Sequence, residues 1–92
     1  MDIILCCGKN GTAVIFGTVK RWPVKGQSVH LTDARMILRW TGTSGLLGMA
    51  ANGPAKGSTL TPAVPKVTET VWQEAIATTP TGAAALRAWP DA

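Results

Sequence analysis

Apolar and polar positions change period several times along this chain of 92 residues, and each change marks an element. Ile3 to Cys7 is an unbroken apolar run of strand formers, followed by Gly8-Lys9-Asn10-Gly11. Asn-Gly accepts the positive φ of a tight reversal, so the run predicts the first arm of a hairpin. The returning strand, Thr12 to Lys20, carries Ala13-Val14-Ile15-Phe16 without alternation, which predicts a central strand covered on both faces. Gly17 interrupts it, as glycine does at a bulge or a close backbone approach. Trp22-Pro23-Val24-Lys25-Gly26 breaks the pattern and forms a connection, because Pro23 has no ladder donor and Gly26 permits a turn. Ser28 to Thr32 then alternates: Val29 and Leu31 point one way, Ser28, His30 and Thr32 the other, as in a half-exposed strand.

Asp33-Ala34 is expected to turn the chain. Beyond it, Met36, Leu38 and Trp40 oppose Arg35, Ile37 and Arg39, and the shortness of the segment favours a strand over a helix. Gly45 to Pro54 predicts one or two helical turns stopped by Asn52-Gly53 and Pro54. Lys56 to Pro65, punctuated by Gly57, Pro62 and Pro65, is a broken edge strand or a closing arm. Lys66 to Thr78 has the mixed pattern of a strand near a sheet edge or an interface, with a helix over Val71 to Ile76 as the competitor. Thr79 is a good N-cap with Pro80 at the first helical position, and Leu86 and Trp89 dock the short helix that Pro90 ends. The expected fold class is α+β: a single small domain, residues 1–92, with a small antiparallel sheet or half-open β-barrel of four to five strands, a short loop helix and a C-terminal helix.

Composition sharpens this picture. Charged residues are 15% of the chain and apolar residues 46%, against roughly 25% charged in typical soluble domains. A domain this small has a thin core, so apolar surface left after folding predicts a homo-oligomer. Nine Lys and Arg against five Asp and Glu give a net charge of +4, which favours anionic partners. The basic residues are dispersed, so a disordered nucleic-acid arm is not indicated. Adjacent Cys6 and Cys7 cannot form an ordinary disulfide with each other, and are expected as buried thiols. MDIILCC lacks the features of a signal peptide, and no apolar run reaches the ~18 residues of a membrane span, so an intracellular protein without a membrane partner is expected.

Catalytic inventory is poor, with one histidine and five scattered acids. His30 and Asp33 are three apart, but His30 is better read as a polar-face strand residue and Asp33 as a turn residue. No spacing suggests zinc, calcium or magnesium, so neither an enzyme nor a cofactor is expected. Gly48 to Gly53 begins like a phosphate loop, but Pro54 stands where the lysine must be. The sharpest feature is the pair Arg35 and Arg39, four apart and therefore on one face of helix or strand, roughly 13 Å apart on a strand at about 3.3 Å per residue. Such a span suits two phosphates, or one phosphate from each of two subunits. Lys56, Gly57 and Ser58 would supply a backbone nest beside the pair, and Trp22, next to Lys20 and Arg21, a stacking wall. The alternative is that the arginines pair with Asp33 or Glu74, the nest is a solvated loop, and Trp22 anchors an interface. Trp40 and Trp89 are expected in the core.

LTDARMILRW, SGLLGMAANGPAKG and TPAVPKVT together resemble a family of small tailed-phage and prophage proteins classed only as a domain of unknown function. The family pattern joins a T-D-A-R-hydrophobic run and a tryptophan to an L-x-x-L-A-x-x-G-P loop, a P-A-x-P step and a P-x-A-x-x-A-W helix. Gly48-Met49 departs from it in the loop, and Thr81-Gly82 weakens the start of the last helix. The resemblance implies viral origin and the host cytoplasm, and supplies no catalytic residues. With the basic charge and the Arg/Trp/Gly set, it gives the leading expectation of a non-enzymatic anti-defence protein that sequesters a small anionic nucleotide-type signal, by analogy with small oligomeric phage proteins. The rivals are a structural or assembly accessory of the virion and an inhibitor docking directly on a host defence protein.

Overall fold

The computed structural model describes residues 1–92. Strands β1 (Asp2–Cys7) and β2 (Ala13–Thr18) form the expected hairpin, paired from Asp2↔Thr18 to Cys7↔Ala13. Gly8 and Gly11 both have positive φ, and the Gly11 amide donates to the Gly8 carbonyl at 3.1 Å. β3 (Val29–Arg39) runs antiparallel to β2 on its other side. Gly17 sits where the β2–β3 register shifts, and a Cβ there would lie 3.0 Å from Leu31, so the interruption is a close approach between strands.

Along its outer edge β3 pairs with two partners in turn: β5 (Val64–Glu69) over Val29 to Ala34, then β4 (Thr59–Leu60) over Ile37 to Arg39. β6 (Trp72–Ala77) pairs with β1 at the opposite edge. The result is an α+β domain built on a six-stranded antiparallel open sheet, with no ladder closing it into a barrel. The expected single strand over Lys66 to Thr78 is two strands. They are separated only by Thr70 and Val71 yet hydrogen-bond to opposite edges of the sheet, a split that no local pattern announces.

The expected turn at Asp33-Ala34 does not form, and β3 continues through it. Asp33 has a φ of 49°, an αL value that short polar side chains tolerate, and β3 carries one extra residue there relative to β2. This bulge exchanges the faces. Leu31 and Ala34, three apart, lie in the same buried cluster, whereas strict alternation would oppose them.

Both faces of β1 are buried, as its unbroken apolar run requires. Ile4 and Cys6 join Val14, Phe16, Ile37 and Leu60 under helices α1 (Gly45–Asn52) and α2 (Pro80–Ala88), which contribute Met49, Ala50, Ala83 and Leu86. Ile3, Leu5 and Cys7 join Ile15, Val19, Val29, Leu31 and Ala34 on the other face, closed by Val67, Trp72 and Ala75. α2 starts as expected: the Thr79 hydroxyl accepts from the Gly82 amide at 3.0 Å and Pro80 opens the helix. Gly82, a poor helix former by propensity, has a packing reason. A Cβ there would stand 2.1 Å from the Ala50 carbonyl oxygen, so only glycine lets α2 cross α1 this closely. No helix is long and apolar enough to cross a membrane.

Candidate functional site

The bulge at Asp33 decides the fate of the arginine pair. Arg35 faces the helices, is only 3% exposed, and spends its guanidinium on the chain itself. Nε donates to the Thr61 carbonyl at 2.8 Å. Nη1 donates to the Leu86 and Arg87 carbonyls at 2.7 and 3.3 Å, and Nη2 to the Pro90 carbonyl and Asp91 Oδ1 at 3.5 and 3.0 Å. The Leu86, Arg87 and Pro90 carbonyls lie in or just beyond the last turn of α2, where carbonyls lack helical partners and a cation is favoured. Arg35 is therefore the C-terminal clamp of α2, with Asp91 as its ion-pair partner in place of the Asp33 or Glu74 considered from the sequence.

Arg39 lies exposed at the far end of β3, paired across to Thr59 on β4. The Lys56–Ser58 turn lies at the same end, tied by internal bonds: Thr41 Oγ1 donates to the Lys56 carbonyl at 2.6 Å, and the Thr41 amide to Ser58 Oγ at 3.2 Å. Gly57 adopts the positive φ of the turn. Ser58 is buried, its amide donating to the Ala55 carbonyl and its carbonyl accepting from Trp89 Nε1 at 2.8 Å, so it serves the core. Arg39, Lys56, Gly57 and Ser58 share one end of the molecule, while Trp22 lies elsewhere, beside the first half of β3.

Trp22 is 45% exposed and lines a groove of ≈ 630 Å³ between the Val19–Ser28 connection and the sheet. That volume is in the range of small-molecule sites. Lys20, Arg21 and Lys66 line it with His30, and no Asp or Glu does. The chain's two ion pairs are Arg35–Asp91 and Arg87–Asp2, so the three groove cations have no carboxylate partner. The connection is held in place at both ends. The Met1 amine and Val19 amide exchange hydrogen bonds with each other's carbonyls at 2.8 Å, Lys25 Nζ donates to the Gln73 carbonyl at 2.6 Å while lying 4.5 Å from the Trp72 ring centre, and Trp72 Nε1 donates to the Gln27 carbonyl at 2.9 Å. A cation-lined groove with an exposed indole on an anchored connection can receive an anion that carries a ring.

Sequence reading placed Trp22 beside Lys20 and Arg21 but not Lys66, His30 and Thr32. Their alternation marked exposed positions, whereas their meeting depends on β5 pairing with β3. A smaller hollow of ≈ 230 Å³ between Thr41–Gly45 and the C-terminal end of α1 has no charged lining.

Cys6 and Cys7 are buried free thiols; burial pushes Cys7 up to about 11, and raises Cys6 as well, so neither is a ready nucleophile. Arg87 hydrogen-bonds Asp2 and holds its carboxyl below the ordinary range, with Thr18 assisting. No three His, Cys, Asp or Glu side chains come close enough to hold a metal ion.

No curated protein and no solved structure matches the chain. One family model does, over residues 1–89, nearly the whole sequence. The chain belongs to the family described as Domain of unknown function (DUF6948).

Proposed function

We propose that this is a non-enzymatic binding protein that takes up a small anionic, nucleotide-type ligand in the Trp22 groove. The resemblance to tailed-phage and prophage proteins supports a phage-encoded protein in the host cytoplasm, sequestering such a signal used in bacterial defence. One observation carries the reading: a half-exposed indole that lines one groove with three cations that no carboxylate neutralises. Lys20, Arg21 and Lys66 supply the attraction and Trp22 the ring surface, a role for which the buried Arg35 has no free donor. Calorimetric titration with cyclic nucleotides and ADP-ribose tests it. Saturable binding that weakens with salt is expected, and Arg21→Ala with Lys66→Ala should lower affinity at least about tenfold, the loss of one charge-assisted contact or more. Absence of binding by every member of the panel rejects the reading.

A second reading rests on the other face of β3. Met36 and Leu38 are exposed there and Trp40 follows just beyond the strand, with Leu38 55% and Trp40 39% exposed, so this tryptophan, expected in the core, is at the surface. Such exposure favours assembly, either as a homo-oligomer, as a virion accessory or on a host defence protein. Light scattering at micromolar concentration should give more than a monomer for the native chain and a monomer for Leu38→Lys. A native monomer counts against self-association, and co-purification with virions favours the accessory role.

A further inference from the structure

The groove is not uniform. Its floor is sheet and its wall is the Val19–Ser28 connection, and the two carry different chemistry. Thr18 pairs with Thr32 across β2 and β3, and Thr32 with Lys66 across β3 and β5, so these three side chains form a row on one face of three adjacent strands. Strand spacing makes the row ~10 Å long. His30, two residues along β3, points to the same face and pairs with Thr68. Its Nδ1 lies 3.0 Å from Thr68 Oγ1, which leaves Nε2 as the nitrogen free for a ligand, protonated when the Thr68 hydroxyl donates. The floor thus offers the Thr32 hydroxyl, held only by a long 3.5 Å bond to the Thr18 carbonyl, the free Nε2 of His30 and the Lys66 ammonium, while the indole stands on the wall with Lys20 and Arg21.

Resting on the proposal that the groove binds a nucleotide-type anion, the geometry points to a divided site for a nucleoside phosphate. Thr32, His30 and Lys66 take the phosphate on the floor, and Trp22 takes the base by stacking on the wall. A phosphate needs several converging donors and the floor is the part of the groove where strand pairing fixes them. A base needs a flat apolar surface with one exposed face, and Trp22 is the only Phe, Tyr or Trp among the lining residues.

ADP, adenosine and pyrophosphate separate the two halves in calorimetric titrations of the native chain, Trp22→Ala, Trp22→Phe and Lys66→Ala. Both positions are exposed, and unchanged melting temperatures will establish that the variants fold. ADP should bind the native chain at least tenfold more tightly than adenosine. Trp22→Ala should lose between about five- and 150-fold for ADP, the range of a stacked base, with pyrophosphate unaffected, and Trp22→Phe should recover most of the loss. Lys66→Ala should weaken ADP and pyrophosphate alike. If Trp22→Ala weakens ADP and pyrophosphate equally, the division is overturned while anion binding stands; if adenosine binds as tightly as ADP, the phosphate floor and the anion-binding reading are both overturned. If neither ADP nor pyrophosphate binds the native chain, the division and the anion-binding reading both fail.

Discussion

The two halves of β3 make the most informative comparison in this molecule. Before Asp33, the strand behaves as its alternation says: Val29 and Leu31 are buried, and His30 and Thr32 are exposed on the floor of the groove. After Asp33 polarity no longer tells burial: Ala34 and Ile37 are buried and Arg39 is exposed, as their chemistry says, but others break the rule. The charged Arg35 is buried, while Met36, Leu38 and Trp40 are exposed. The same covering element explains both halves. α2 lies over the second half and ends above it, so carbonyls without helical partners need a cation directly beneath, whereas the first half has only the open connection beside it. A buried arginine here is evidence of where a helix stops.

The largest effect expected from breaking this contrast is at Arg35. Arg35→Ala leaves the Leu86, Arg87 and Thr61 carbonyls without their donor in a buried setting, and should cost about 3–5 kcal/mol in urea unfolding. A loss under about 1 kcal/mol would show that the clamp is dispensable. An intermediate effect belongs to the bulge. Asp33→Val forces a β-branched residue into αL and should cost about 1–2 kcal/mol, while Asp33→Gly should be near neutral; equal effects would mean that backbone conformation at Asp33 is not what sets the exchange of faces.

The smallest effect concerns Asp2, which Arg87 brings against Thr18 at the border of the first half. Because the folded carboxyl is held below its unfolded value of about 3.9, its contribution is present above that pH and disappears as pH falls through the folded value. With Arg87 42% exposed, that contribution is under about 1 kcal/mol. Asp2→Asn should therefore lower stability slightly at pH 7 and not at pH 2. The same deficit at both pH values would locate the effect in packing.

Short-range features of the sequence were reliable wherever local chemistry was sufficient. The Gly8–Gly11 loop specified the hairpin, though Gly8 and Gly11 rather than Asn10 take the positive φ, the unbroken run of β1 its two-sided burial, and Thr79-Pro80 the start of α2. The site was legible only in part. Trp22 with Lys20 and Arg21 could be recognised because they are neighbours in the chain, but Lys66 enters from β5, more than forty residues away. Arg35 and Arg39 looked like a matched pair because four residues separate them. Spacing says that two side chains share a face, and nothing about what lies over it.

What the sequence determined by itself was therefore the α+β class, the basic charge and the order of most elements, since each follows from periodicity, turn chemistry or composition. Only the tertiary structure decided that β5 and β6 part to opposite edges, that Gly82 is where two helices meet, and that Arg35 closes a helix while Trp22 and Lys66 share a groove. These outcomes depend on contacts between distant segments, whose closure and packing local propensity does not encode.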